Sequence, residues 1–331
     1  MVNIAVIGAG RIGAIHAANV AAHPGAHLTW ICDPVPGATT RLAGLGAKTA
    51  TDASAVIGDG DVDAVIVCTP TPTHVDLIRA AVTAGKPVLC EKPVDLDAAR
   101  AQACLDEVSA AKGTVMIGFN RRFDPTFAEI HQRVSAGEIG QLEQLVVTSR
   151  DPEPPNLAYI AGSGGLFRDM TIHDFDMARF FLGPIAEVRA VGQNIIDPAI
   201  REAGDIDSAI VVLTATSGAV GVITNSRRCA YGYDQRLEAF GATGLLQARN
   251  QHATSVAASN QTTTGAAGRV QDFFLQRYAD AYRLELDAFI DTITSGKAPS
   301  PDLADGVAAL VLADAALQSL TSGTTVTIPQ P

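Results

Sequence analysis

A chain of 331 residues exceeds the roughly 250 to 300 at which single cores stop growing, so two domains are expected. The composition, 47% hydrophobic and 18% charged, describes a folded globular protein without a disordered charged tail. A net charge of -11 argues against a nucleic-acid backbone or an anionic membrane as partner and leaves a neutral small molecule as the better fit.

The amino terminus opens at once on "VNIAVIGAG", with no room for a basic segment and a cleavable apolar one. No apolar run in the sequence approaches the ~20 residues of a membrane span. The five cysteines, Cys32, Cys68, Cys90, Cys104 and Cys229, are odd in number and lack CxxC spacing. They read as free buried thiols in a reducing cytoplasm, rather than as disulfides or a zinc site.

Val2 to Ile7 is a nearly continuous apolar run, the pattern of a parallel strand covered on both faces. Gly8, Gly10 and Gly13 follow in "GAGRIG". In a dinucleotide-binding turn the first glycine permits the tight bend, the second admits the pyrophosphate, and the third lets the next helix pack closely on the strand. That helix, through about Ala22, would point its amino terminus, with Arg11 and Ile12, at the phosphates. A second run, "HLTWICD", ends at Asp33, twenty residues past Gly13, where a carboxylate accepts from an adenosine ribose and repels a 2′-phosphate. NAD is therefore favoured over NADP, with Arg41 as a complication.

The alternation continues with a strand "DAVIVCT", a loop "PTPTH", a helix to about Ala84, a strand "PVLC", "EKP", a helix from Asp97 to about Lys112 and a strand "TVMIGF". Such alternation means a doubly wound parallel sheet, with ligands outside the carboxyl ends of the strands. Thr69, Pro70, His74, Glu91 and Lys92 fall at such ends. His74 is either a helix-start residue near solvent or a cofactor contact. Lys92, fixed before Pro93, is either an ion-pair partner of Glu91 or a neighbouring carboxylate, or a group in proton transfer beside a nicotinamide.

After "FNRRFDP" and a helix to about Gly137 the texture changes to long alternating runs with SG and TG at the bends, which predict a mostly antiparallel sheet. Helices from about Leu157 and Met170, and that of Arg277 to Thr294, would cover it. "NQHATSVAASNQTTTGAAG" predicts an exposed hairpin or loop, and a helix near Ala304 to Leu320 and a strand "TTVTIP" close the chain. The domains read as 1–120, a Rossmann α/β unit for NAD, and 121–331, an α+β unit with an open, mostly antiparallel sheet.

"GGLFRDMTIHDFDMARFFLG", Gly164 to Gly183, is apolar apart from a polar stripe. At 100° per residue, Asp169, His173 and Asp176 fall within an arc of about 60°. The stripe is either structural, with Asp169 an N-cap and His173 and Asp176 a buried pair, or chemical. A metal site is disfavoured, because no supporting His or Cys cluster accompanies it. Asp174 falls among Phe and Met and is expected to cap or pair structurally.

With these pieces in place the chain resembles the Gfo/Idh/MocA oxidoreductases, and among them those that oxidise inositol at C2. The resemblance runs nearly end to end, through "GAGRIG", "EKP" at Glu91, "GFNRRFDP" at Gly118, "SGGLFRDMTIHDFDMARFFLG" at Ser163 and "YGYD" at Tyr231. It implies Lys92, Asp169 and His173 as catalytic residues, and Arg122, Asp151, Asp176 and Tyr233 as polyol contacts. It also implies no metal and a homotetramer built through the second domain. The expected activity is NAD-dependent oxidation of myo-inositol to the 2-keto product. His173 would be the base, since an unperturbed imidazole titrates near about 6.5, and Lys92 would assist. A pyranose or other inositol-isomer dehydrogenase, a non-catalytic dinucleotide-sensing regulator and an NAD-assisted glycosidase are the alternatives.

Overall fold

The computed structural model describes residues 1–330; Pro331, the last residue of the expected second domain, lies outside the described residues. The chain forms two compact units, one of Met1–Phe123 with Ala281–Leu310, the other of Asp124–Asp280 with the chain from Val311 onward.

The first unit begins β1 (Val2–Ile7), α1 (Arg11–Ala22), β2 (Ala26–Cys32), β3 (Lys48–Ala50), α2 (Ala53–Ile57) and β4 (Ala64–Val67). It continues through α3 (His74–Thr83), β5 (Val88–Glu91), α4 (Ala98–Ala110) and β6 (Val115–Gly118). The six strands pair in parallel in the order β3-β2-β1-β4-β5-β6. β4, β5 and β6 are buried along their whole length, which a parallel sheet covered on both faces requires. β1 pairs with β2 on one side and β4 on the other, so the chain reverses direction across the sheet at β1. Ligands of doubly wound sheets settle in the crevice outside the strand ends at that point.

The second unit holds α5 (Pro125–Ser135), β7 (Leu142–Arg150), α6 (Leu157–Ser163), α7 (Ile172–Leu182), β8 (Ile185–Gln193), α8 (Pro198–Glu202), β9 (Ser208–Ala215) and β10 (Val220–Ser226). β11 (Asp234–Gly241), β12 (Gly244–Ala248), the exposed two-residue strands β13 (Ala257–Ala258) and β14 (Ala266–Ala267), and α9 (Phe274–Arg277) follow. The main sheet runs β12-β11-β7-β10-β9-β8; only β7 and β10 pair in parallel. α5 and α7 pack on this sheet. Alternation along each strand buries Leu145, Val147, Val211, Leu213, Leu237 and Ala239 on one face.

α10 (Ala279–Ser295), α11 (Leu303–Ser322) and β15 (Val326–Thr327) close the chain, β15 adding beside β8. Two expectations change here. The sequence places the helix after Arg277 on the second sheet; instead Leu286, Phe289 and Ile290 of α10 join Ile4, Val6, Leu28, Ile66 and Leu89 in the core of the first unit. The Ile117 amide also bonds the Pro301 carbonyl at 3.1 Å, extending the edge of that unit. An amphipathic pattern declares an apolar face, but not which sheet receives it. The second change concerns α11, which is 20 residues long with mean hydropathy 1.5, long and apolar enough to cross a membrane where none was expected. More than half of it is buried inside the protein, including Val307, Ala309, Leu310, Leu312 and Ala313, as befits a core helix.

Phe289→Ala is expected to lower the stability of the first unit by about 3–5 kcal/mol, the range for deleting a buried phenyl ring. Denaturant unfolding of the variant checks this; a loss below 1 kcal/mol, near the floor of that range's uncertainty, would place α10 outside the core.

Candidate active site

The turn after β1 is built by steric exclusion. Gly8 has φ 102°, and a Cβ there would stand 2.5 Å from the Cys68 carbonyl oxygen; at Gly13 it would fall 1.9 Å from the Gly8 carbonyl oxygen. At Gly10 nothing lies within 4 Å. The first and third glycines therefore permit the packing of α1 on β1 and β4, while the second faces open space of the kind a pyrophosphate fills. Gly10 caps α1 without a side-chain hydrogen bond, so the first-turn amides, those of Arg11 and Ile12 among them, are not taken up by a capping side chain. Asp33 stands at the lip of this turn. Its Oδ2 accepts from the Ala9 amide at 2.8 Å and its Oδ1 from the Val35 amide at 2.9 Å, which fixes the carboxylate where a ribose hydroxyl can donate. Arg41 donates to the Ala9 carbonyl in the same turn. These residues fit a dinucleotide.

Thr69 and Pro70 follow β4, with Thr69 Oγ1 2.6 Å from Thr73 Oγ1. The Glu91 side chain turns inward at the end of β5, its Oε1 2.9 Å from Nε2 of the wholly buried His16 on α1. Glu285 of α10 is also wholly buried, and neither carboxyl oxygen has a hydrogen-bond partner among the described residues. Burial, reinforced by the Glu91 charge, pushes its pKa well above the usual carboxylate range. Lys92, half-buried, comes next in the chain. His74 is buried too, and both its ring nitrogens lie within hydrogen-bond distance of backbone carbonyls. That removes the solvent-edge alternative for it. Arg122, in the turn Asn120–Phe123, is buried and pairs with Asp305 at 3.1 Å.

In the second unit the charged stretch is not one continuous α-helix. Phe167–Thr171 forms a π turn, and α7 starts only at Ile172. The wider turn breaks the 100° register assumed for Asp169, His173 and Asp176. Asp176 is buried, whereas Asp169 and His173 are half-buried. Asp174 is wholly interior and accepts from Ser149 Oγ at 2.6 Å and Asn225 Nδ2 at 2.8 Å, a structural pairing. Asp169 Oδ1 accepts from the Tyr159 hydroxyl at 2.9 Å, and its Oδ2 lies 3.5 Å from Nη1 of Arg227. Arg227 is wholly buried and also reaches Asp205 at 3.3 Å. Tyr233 packs edge-on against Phe273 and Tyr278, and half-buried Asp151 follows β7.

Tyr159, Asp205 and Arg227 escape a reading of the sequence, since no periodicity links positions this far apart. The one available signal is the pair Arg227 and Arg228 directly after an apolar strand, where a charge needs a partner. Among the described residues no group of three His, Cys, Asp or Glu side chains is placed to hold a metal ion. The five cysteines are free, and burial pushes the Cys32 and Cys104 thiols up to about 11.

Comparison with known proteins agrees with this arrangement. Residues 2–119 match the oxidoreductase family model with an NAD-binding Rossmann fold, and residues 127–247 match the GFO/IDH/MocA C-terminal domain. The chain belongs to the Gfo/Idh/MocA oxidoreductase family. It is 46% identical over 324 residues to the inositol 2-dehydrogenase of Rhizobium meliloti, covering 96% of this chain and 97% of the relative. The crystal structure of a myo-inositol dehydrogenase from Corynebacterium glutamicum superposes with a TM-score of 0.96 at 50% identity, covering 100% of both chains. A scyllo-inositol dehydrogenase from Lactobacillus casei, solved with NAD(H) and scyllo-inositol, gives a TM-score of 0.90 at 28% identity, covering 99% of each.

Two substitutions separate packing from ligand room in the glycine turn. Gly13→Ala is expected to lower the thermal midpoint sharply, because its Cβ meets backbone rather than a movable side chain. Gly10→Ala should leave the midpoint near wild type while weakening NAD binding, read by calorimetry; equal midpoints for the two variants would contradict this division. Glu285 makes stability depend on pH. A carboxyl whose folded pKa is raised contributes stability that is complete below the unfolded value of about 4.3 and lost as pH rises through the folded one. Glu285→Gln removes that loss. Urea titrations from acid to neutral pH should therefore show the variant gaining on the wild type as pH rises, and a gap independent of pH would contradict a neutral Glu285.

Proposed function

We propose that the protein is an NAD-dependent dehydrogenase of a cyclic polyol, oxidising myo-inositol at C2, with His173 as the base. The observation that carries this reading is the position of His173: half-buried at the start of α7, four residues past Asp169, in a stretch whose other carboxylates, Asp174 and Asp176, are drawn inside. Bound NAD supplies the hydride acceptor. Oxidising a secondary alcohol also requires removal of the hydroxyl proton, because a free alkoxide is inaccessible near neutral pH. Imidazole is the side chain suited to take it there.

Asp169, steadied by Tyr159 and Arg227, receives a neighbouring substrate hydroxyl or orients the imidazole. Lys92 stabilises the developing oxyanion or relays the proton. Asp151 is the most accessible of the remaining polyol-contact positions, while buried Asp176, Tyr233 and Arg122 shape and steady the substrate side. Several carboxylates suit a hydroxyl-rich neutral substrate and repel an anionic one. The near-full-length likeness to inositol dehydrogenases supports the choice of substrate, and Asp33 supports NAD over NADP. The five free thiols support a reducing, cytoplasmic setting.

His173→Ala is expected to cut turnover by about 10²- to 10⁴-fold, the usual contribution of a general base, with NAD affinity unchanged. NADH formation is the readout, and near-normal turnover would remove His173 from the role. A panel of myo-inositol, scyllo-inositol and pyranoses read the same way tests the substrate, and activity confined to pyranoses would reverse the choice.

Homotetramer assembly is part of the same proposal. On the second sheet Val191, Ile210, Val212, Val220, Phe240 and Leu245 are exposed, with Ile210 at 53% and Phe240 at 41%. Apolar residues gathered on one sheet face in this way mark an association surface, and homo-oligomers are the common outcome. Ile210→Asp with Phe240→Asp should shift the sedimentation coefficient to that of a smaller species; a wild-type value would place assembly elsewhere.

A further inference from the structure

The loop carrying Lys92 is held by a histidine to which the reaction above gives no part. His74 opens α3; its Nδ1 lies 2.8 Å from the Pro93 carbonyl oxygen and its Nε2 2.7 Å from that of Thr69. These carbonyls belong to the segments that follow β5 and β4, neighbouring strands whose ends carry Lys92 and the pair Thr69 and Pro70. Carbonyl oxygens only accept, so each contact is a hydrogen bond only while that nitrogen bears hydrogen. Burial pulls the imidazole below its ordinary value, against the upward pull of the two carbonyls, Glu91 and Asp95. A neutral ring has one N–H to give.

Pro93 is buried and Thr69 partly exposed. A carbonyl left without a donor costs most where water cannot replace it, so the proton belongs on Nδ1, facing Pro93. Other ties fix the loop on either side. Asp95 accepts from the Leu96 and Asp97 amides at 2.8 and 3.0 Å and pairs with Arg100 at 2.8 Å, while His16 holds Glu91. His74 supplies a tie adjacent to Lys92.

Building on the reading that Lys92 assists the reaction, we propose that His74 is a positioning residue for Lys92: its Nδ1–H grips the Pro93 carbonyl and so fixes the backbone from which the lysine projects. The contact with Thr69 is secondary. The amide nitrogen of asparagine can take the place of Nδ1, and that of glutamine the place of Nε2. His74→Asn should therefore keep kcat close to wild type. His74→Gln and His74→Ala should lose roughly 10- to 100-fold in kcat, the scale of a misplacement near 1 Å, with little change in KM for NAD.

Equal losses in the asparagine and glutamine variants, or losses that follow their thermal midpoints, overturn the clamp. In a Lys92→Ala background His74→Gln should cost nothing more, and a further loss of kcat overturns the route through Lys92. Wild-type turnover in Lys92→Ala alone would overturn the assignment of Lys92 and the clamp with it. An impaired Lys92→Ala together with equal losses in the two amide variants overturns the clamp alone.

Discussion

Position 13 has no room for a side chain. The absence of a Cβ there lets α1 approach β1 until its amino terminus stands over the turn, and a Cβ would reach within 1.9 Å of the Gly8 carbonyl oxygen. The consequences spread from that contact. Ala9, the residue between the first two glycines, is brought to Asp33, whose carboxylate binds its amide. On the opposite side Gly8 lies against Cys68, at the end of β4. The same helix carries His16 to the end of β5, where it meets Glu91 and thereby the chain entering Lys92. One steric limit thus ties the strand ends of the first unit into a fixed rim.

Charge is handled differently in the two units. In the first, burial and the Glu91 charge push the Glu285 pKa well above the usual carboxylate range, and Glu91 has His16 against it. The second unit answers its carboxylates with buried guanidinium groups, Arg277 against Asp124 and Arg227 beside Asp169 and Asp205. Arg227 stands between Asp169 and Asp205, and an arginine, whose charge persists at any working pH, is a cation both carboxyl groups can share. Removing it would take a shared cationic partner from both, the kind of loss that breaking an ion pair entails.

Much of this was legible in the sequence because it is local. Apolar runs ending at glycines and at Asp33 declare a parallel sheet and its binding turn, since both the periodicity and the turn chemistry lie within a few residues of each other. The alternating runs after Gly137 declare the second sheet in the same way. What escaped is of two kinds. The His16–Glu91–Glu285 cluster and the Asp169–Arg227–Asp205 chain join residues far apart in sequence, each unremarkable by itself. The π turn at Phe167–Thr171 and the docking of α10 are choices made by tertiary packing among states that local propensity leaves nearly equal. Phe289 shows the point: its apolar neighbours announce a buried face, and only the assembled core says which one.

The same distinction explains why Asp174 and Asp169, five residues apart, have opposite fates. Asp174 faces Ser149 and Asn225, neutral donors that hold each of its oxygens inside the unit. Asp169 sits in the wider turn, where its partners include a tyrosine that is itself half exposed and a guanidinium at 3.5 Å, longer than a hydrogen bond. The contrast is one of surroundings: Asp174 meets neutral hydroxyl and amide donors in the interior, and Asp169 meets a hydroxyl and a cation in a half-buried turn. The π turn is what moves Asp169 out of the α-helical register and into those surroundings, so the irregularity in the backbone and the environment of the side chain are one feature.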